Sequence, residues 1–435
     1  MSATRLPLRF TGALHDLTAD DRRALLDRST MFDSSIRDRT REIIADIRSR
    51  GDAALIALAC ELDGVSLRDI EVSIAQCRTA LDRTPPELRG AMERSAANLA
   101  AVARANLPTD SECEPEPGIV IGRRPHPLSR VGVYAPGGRA AYPSSVLMGV
   151  VPARVAGVSE IVLCSPPQRD GLPSSVVLAA AALTGVDRVF AVGGAGAVAA
   201  MALGTQTIPR VDRIVGPGNA YVAEAKLQVT GSVAIDSPAG PSELLVIADA
   251  SCDPTRIALE MAAQAEHDPR ACAVALVLGL ETADAIEAAL MNAIPSGSTG
   301  IAAREALAAN GGVLVCETLD DAIDFANVYA PEHLLVVTAD DARIVDRIRS
   351  AGTVFMGRET SVAFGDYLTG ANHVLPTGGL SRAYSGLSVL DFIRWTTYQR
   401  VSASAASSIA RDAMVFAEAE GLPGHALAAR AAGGI

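Results

Sequence analysis

Arg130-Val131-Gly132-Val133-Tyr134-Ala135-Pro136-Gly137-Gly138 is the stretch on which the fold turns. Val131–Ala135 is a short apolar run that reads as a strand, Pro136-Gly137-Gly138 breaks it, and a helical pattern follows from about Ser144 through Val155. The same texture continues outward, with a strand at Glu160–Cys164, a helix at Ser174–Thr184 and a strand at Arg188–Val192. Arg188–Ala197 echoes Arg130–Ala140 as strand, glycine pair and helix. Short apolar strands alternating with helices imply βαβ units and a parallel sheet covered on both faces. Ligands of such sheets gather at the carboxyl ends of the strands, where these glycine loops fall.

The region upstream reads as helical. Ile36, Ile43, Ile44 and Ile47 lie on one stripe that stops at Gly51, and Asp52 opens a second helix through Leu55, Leu58 and Leu62 to Gly64. A third starts with Thr84 and Glu87 in capping-box spacing and carries Leu88, Met92, Leu99 and Val102 on its core face. Residues 1–32 read as a short polar helical arm, and nothing before residue 120 suggests chemistry.

Composition narrows the class. The chain has 435 residues, enough for two large domains, and 49% of them are apolar, enough for an α/β core. A formal charge of −12 argues against nucleic acid or an anionic bilayer as partner. Seven scattered cysteines without a CxxC favour a reducing compartment over a disulfide framework or thiolate zinc site. No signal-peptide core and no apolar run of roughly 18 residues occurs, so a cytoplasmic protein is expected.

Candidate chemistry is concentrated late. Tyr329-Ala330-Pro331-Glu332-His333 precedes the apolar strand Leu334–Val337; Pro331 should hold the residue before it extended. Glu332 and His333 offer two adjacent proton acceptors of different intrinsic pKa, which suits chemistry with two base steps. Asp253 should cap a helix with Pro254 in its first turn. Near that helix's end Gln264 and His267 stand three apart, a pair able to supply half a zinc site, although a helix-ending His also serves as a dipole-compensating cap. Asp366, His373 and His425 follow. Gly194-Ala195-Gly196-Ala197-Val198-Ala199 fits a dinucleotide fingerprint or a tight strand-to-helix turn. In Gly216-Pro217-Gly218-Asn219 the glycines admit a close backbone approach to a ligand. Cys164 ends a strand and reads as a buried residue more readily than as a nucleophile.

Val131–Gly138, Gly216–Lys226, Pro238–Glu243, Gln264–Pro269, Tyr329–Leu334 and Asn372–Thr377 together resemble histidinol dehydrogenase, from about residue 120 to the C-terminus. The resemblance implies zinc held by Gln264, His267, Asp366 and His425, with Glu332 and His333 as bases. Substrate contacts fall on Ser242, Glu420, His333 and the metal ligands, and NAD contacts on Tyr134 and Asn219. It further implies a four-electron oxidation of a primary alcohol, L-histidinol, through an aldehyde to a carboxylate. The family's intertwined homodimers place Glu420 and His425 in the partner's site. The architecture it implies is two parallel-sheet Rossmann-like domains: 33–129 plus 238–380 carrying metal and bases, and 130–237 as an inserted nucleotide-binding domain. A helical arm (1–32) and a C-terminal helical extension (381–435) complete it.

Two positions depart from the family pattern. Val362 stands where a Glu is expected four residues before Asp366, which suggests a substrate lacking an ammonium there, since burying an unpaired cation costs several kcal/mol. Gly196 replaces a Gln that touches the cofactor. Ser385–Val389 and Thr397–Arg400 also look like a paralogous branch of the family that oxidises an anionic diol sulfonate.

Overall fold

The computed structural model describes residues 6–28, 34–137 and 141–435. Gly138 of the first glycine pair and residues 1–5 and 29–33 of the arm and the first helix start lie outside the described residues.

Two six-stranded sheets organise the chain. The first is built around Arg130–Tyr134, flanked by Glu160–Ser165 and Arg188–Ala191 on one side and by Arg213–Val215 and Ala234–Ile235 on the other, all parallel. Glu71–Val72 closes one edge in antiparallel sense. The second runs in the spatial order Phe10–Ala13, Gly311–Cys316, Cys272–Leu278, Glu243–Ala248, His333–Val337 and Thr353–Met356, and every pair in it is parallel. The inner strands are apolar without alternation, as strands covered on both faces must be. Among the described residues, no helix is long and apolar enough to cross a membrane.

The upstream helices pack differently from the expected division. Ile43, Ile44 and Ile47 of Ser34–Arg50 share a core with Phe190, Val198 and Met201, and Met92 and Leu99 of Pro86–Ala105 pack with Val146 and Val150. They therefore belong with the sheet of residues 130–235, Ser34–Arg50 against the helices Gly194–Leu203 and Ala220–Val229 and Pro86–Ala105 against Pro143–Ala156, and not with the sheet that carries Glu332 and His333. Thr84 does not cap the third helix; its hydroxyl donates to the Ala80 carbonyl and Pro85 takes the N-cap place.

The terminal segments hold strands besides their helices. Phe10–Ala13 pairs with Gly312–Val315 ahead of the helix Ala19–Leu26. Ile393–Val401 pairs antiparallel with Ile119–Pro127, which pairs with Ser111–Glu116. This small sheet is polar on much of both faces, so no hydrophobic alternation announces it. The helices Ala403–Ala419 and Pro423–Gly433 follow, packed chiefly on each other.

Candidate active site

The two sheets meet end to end. At the 130–235 sheet the loops after Tyr134, Ala191 and Val215 leave the carboxyl ends of the strands, where sequence reasoning places a ligand. The other sheet presents the opposite ends: Ser242 precedes Glu243–Ala248, and Glu332-His333 opens His333–Val337. The helix Pro254–Ala265 runs back from the strand before it and delivers Gln264 in its last turn, with His267 just past its end, to the same edge. Asp253 caps its start through the Thr255 N–H.

Between these edges lies a cavity of about 280 Å³ lined by Ser242, Gln264, His267, Glu332, His333, Asp366, His373 and Asn219, among others. A second cleft of about 660 Å³ is walled by Tyr134, Gly193–Gly196, Asn219 and Tyr221. Pro136, Tyr142, Asn219, His267, Asp268 and Arg270 line both, so the two open into one another. First turns of three helices, Pro143–Ala156, Gly194–Leu203 and Ala220–Val229, face this space. The positive ends of these helix dipoles favour an anion, whereas the helix end at Gln264 and the Asp366 carboxylate favour a cation.

His333 is buried and donates Nδ1–H to the Glu243 carbonyl at 3.0 Å. A carbonyl only accepts, so the proton sits on Nδ1 and Nε2 is a free acceptor. That Nε2 has no hydrogen-bond partner among the described residues, and Asp366 Oδ1 is 3.8 Å from it. Burial lowers the His333 pKa to about 4, leaving the ring neutral near pH 7. Glu332, also buried, accepts the Glu243 N–H at 2.7 Å through Oε2. Burial, then the Glu243 and Asp366 carboxylates, push its pKa well above the usual range.

Asp366 is pushed up to about 7 by burial and by Glu260. Burial lowers His267, which still opens to the cavity. Gln264 is nearly fully buried with its side chain in the cavity wall. A carboxylate crowded by another and deprived of water, beside an amide and an imidazole, fits a divalent cation well. Among the described residues, no three His, Cys, Asp or Glu side chains of one chain gather closely enough to hold a metal. The set needs the Gln264 amide and a further ligand from elsewhere.

Glu420 and His425 do not join this cavity within the chain. Both are exposed, at the end of Ala403–Ala419 and in Pro423–Gly433. Tyr134 is buried and its hydroxyl accepts the Gly194 N–H at 3.1 Å. Asn219 caps its helix, its Oδ1 accepting from Tyr221 and Val222.

Several expectations change. Ala330 is not extended but left-handed, at φ 51°, because it closes the helix Leu319–Tyr329 in a position usually given to glycine. Val362 does not face the cavity: it is buried in the apolar core with Phe355, and its N–H donates to Glu260 at 3.1 Å. A carboxylate thus does stand near Asp366, supplied by another helix. At Gly196 a Cβ would meet Leu58 at 3.1 Å, so this leucine fills the room a longer side chain would need. Cys164 is fully buried among core residues, and its thiol is pushed far up by burial.

His373, singled out in the sequence without a role, lines the cavity and donates Nδ1–H to the Asp366 carbonyl at 2.9 Å. Other residues at the site escaped sequence reasoning. Glu243 bonds both presumed bases through its peptide groups. Lys226 donates to Asp236 at 2.6 Å and to the Gly216 carbonyl, while Asp236 accepts the Gly216 N–H at 2.7 Å, which pins the glycine loop between the cavities. The Gly216-Pro217-Gly218-Asn219 spacing hinted at the loop but not at this anchor.

A family model described as histidinol dehydrogenase matches residues 26–432. The histidinol dehydrogenase of Methanosarcina mazei is 42% identical over 419 residues, covering 96% of each chain. That of Halobacterium salinarum is 46% identical over 415 residues, covering 95% of this chain and 97% of its own. A crystal structure of histidinol dehydrogenase from Elizabethkingia anophelis superposes with a TM-score of 0.92 at 33% identity, covering 97% of both chains.

Proposed function

The chain belongs to the histidinol dehydrogenase family, and from that premise we propose that it oxidises L-histidinol to L-histidine with two molecules of NAD and a bound zinc ion. The observation that carries the reading is the shared cavity: an unpaired neutral imidazole nitrogen and a buried carboxyl stand beside an amide–imidazole–carboxylate set, next to a cleft walled by helix N-termini.

His333 Nε2 takes the hydroxyl proton of the alcohol while hydride leaves the carbinol carbon, giving the aldehyde. Tyr134 and Asn219, which line the larger cleft, would hold NAD, which would supply the hydride acceptor for each of the two oxidations. Glu332, its carboxylate aimed by the Glu243 N–H, would take a proton from the water that hydrates the aldehyde. The His333 imidazolium returns its proton to the aldehyde oxygen as water adds, completing the gem-diol, which then loses a second hydride while His333 again takes a hydroxyl proton. The carboxylic acid that forms ionises to the carboxylate, and the protons taken up by His333 and Glu332 pass to solvent. Zinc, held by Gln264, His267 and Asp366 with His425 of the partner subunit, would orient the substrate as a template. Ser242, Glu420 and the ligands contact the substrate in this reading. Enclosure by the two sheet edges keeps the aldehyde from bulk water between steps.

The test is NADH yield against carboxylate formed, with metal content measured on the same preparation. L-Histidinol should give about two NADH per L-histidine, as two hydride transfers demand, and His333→Gln should lower kcat. Turnover of 2,3-dihydroxypropane-1-sulfonate without turnover of L-histidinol would transfer the chemistry to the paralogous substrate. No NADH from either alcohol would sink the reading.

A further inference from the structure

The peptide of Glu243 is bonded to both presumed bases. Its N–H donates to Glu332 Oε2 at 2.7 Å and its carbonyl accepts Nδ1–H of His333 at 3.0 Å. One residue thus aims the carboxylate and fixes the imidazole tautomer that leaves Nε2 free. What holds Glu243 itself comes from far away in sequence. Arg28, just beyond the helix of the N-terminal arm, donates Nε–H to Glu243 Oε1 at 2.9 Å and Nη2–H to Oε2 at 3.1 Å. Gly378 N–H donates to Oε1 at 2.7 Å. Arg28 also donates to the Tyr329 carbonyl at 2.8 Å and lies 3.4 Å from the centroid of the Tyr329 ring. Tyr329 precedes the left-handed Ala330 and so leads directly into Pro331-Glu332-His333. On the far side of that strained residue Ser381 Oγ donates to the Pro331 carbonyl at 3.0 Å.

The side chains of Arg28 and Glu243 are only 4% and 3% exposed. A buried ion pair is a weak source of stability, since an apolar pair of equal volume often serves as well. A planar two-pronged clamp does something an apolar pair cannot, which is to fix orientation. We propose that Arg28 and Glu243 are positioning residues for Glu332 and His333: the arm's guanidinium clamps the Glu243 carboxylate and the Tyr329 carbonyl, and thereby sets the direction in which both bases face the cavity. This rests on Glu332 and His333 being the bases.

The experiment compares Arg28→Met, Arg28→Lys and the double variant Arg28→Met/Glu243→Gln with the full-length protein and with His333→Gln. Folding, zinc content and steady-state kinetics in L-histidinol and NAD are measured for each. Loss of a supporting partner of this kind lowers kcat by about 10- to 100-fold, here with both KM values within about threefold. Arg28→Lys should recover part of the loss, because one prong of the clamp remains. The double variant buries no orphan charge, so it keeps the test open if Arg28→Met folds poorly. Wild-type kcat in a folded variant lacking Arg28 would overturn the proposal, as would activity falling only in proportion to folded protein. If His333→Gln retains activity, the base assignment fails instead; if it loses activity while the Arg28 variants keep theirs, only the positioning role fails.

Discussion

If the fourth metal ligand comes from a second subunit, two dead variants should revive each other. In one chain, His425 and Glu420 are exposed and absent from the cavity wall. Around them Phe416 is 73% exposed, Leu427 65% and Val415 59%, an apolar surface that a second copy would cover. Take His333→Gln and His425→Ala, each inactive as a homodimer because both of its sites lack one group. In a mixed two-fold dimer one site carries both substitutions, while the other regains both native histidines. Random pairing makes half the dimers mixed, each with one good site of two, so about a quarter of wild-type activity should return. The assay is co-expression with two affinity tags, sequential purification of the mixed dimer, and NADH formation per site with L-histidinol. The purified mixed species should reach about half of the wild-type rate by the same count. Activity no greater than that of the two parents, in a dimer shown to contain both chains, would refute completion of the site in trans.

Other outcomes follow from the electrostatics and packing. Lys226→Met leaves the buried Asp236 carboxylate without its cation and should cost about 3–5 kcal/mol in denaturant unfolding, with KM for NAD raised as the Gly216–Asn219 loop loosens. Lys226→Met/Asp236→Asn should lose less, and a single variant as stable as the double would contradict this. For the metal-free protein, Asp366 titrates at about 7, so zinc must displace its proton below that pH. Competition with a chelator should show affinity falling by about tenfold or more per unit below pH 7 and levelling above it; a flat profile across that range would remove Asp366 from the ligand set. Gly216 has φ 116°, and a Cβ there would lie 2.1 Å from the Tyr134 carbonyl oxygen, whereas Gly185 has φ 71° and open space around it. Both alanine variants carry backbone strain, of order 1–3 kcal/mol. Gly216→Ala should lose clearly more stability than Gly185→Ala in parallel melts, and equal losses would show that the two strand ends can part.

What could be read from the chain depended on the range of the forces involved. The strands Arg130–Tyr134, Glu160–Ser165, Arg188–Ala191 and His333–Val337 were legible because buried parallel strands are locally apolar, whereas Cys272–Leu278 and Gly311–Cys316, equally apolar, were not singled out. The Ile393–Val401 strand was not, since its residues gain their order from pairing with Ile119–Pro127, more than 260 positions away. Spacing raised Gln264 with His267 and Glu332 with His333 as candidates, but only the family resemblance joined them to Asp366 and His425 as one candidate set. Gln264 and His267 are ordinary at a helix end, and only the fold puts Asp366 beside them. Arg28 carried no signal at all: in a chain where every basic residue but Lys226 is arginine, one more arginine in a polar arm is unremarkable. Its role exists only in the distances to Glu243 and Tyr329. Val362 drew attention because the family pattern places a Glu there, and only the fold shows that its side chain lies in the core with Phe355 while Glu260 of another helix stands near Asp366.

The end-to-end meeting of the sheets accounts for how one cleft serves ligands of opposite charge. A parallel sheet has helices that return against its strands, so its carboxyl edge carries helix N-termini and its amino edge carries helix C-termini. Had both sheets contributed carboxyl edges, the cavity would be lined with N–H groups on every side, and a divalent cation there would oppose each dipole. Setting the amino edge of one sheet against the carboxyl edge of the other gives a polarised gap. The pyrophosphate of a dinucleotide suits the wall at Gly194 and Ala220, and a metal suits the wall at Gln264 and Asp366. The same polarity bears on catalysis. In the proposed reaction hydride leaves the carbinol carbon, and a neutral His333 on the cation-favouring wall would become an imidazolium as it takes the proton. That developing charge faces Asp366 3.8 Å away and lies at the edge where helix C-termini stabilise it. Asp366→Asn should therefore slow proton abstraction beyond what weaker metal binding explains. Kinetics at saturating zinc separate the two: full rescue of kcat by zinc would confine Asp366 to holding the ion, whereas a residual loss would show that its charge also supports the imidazolium.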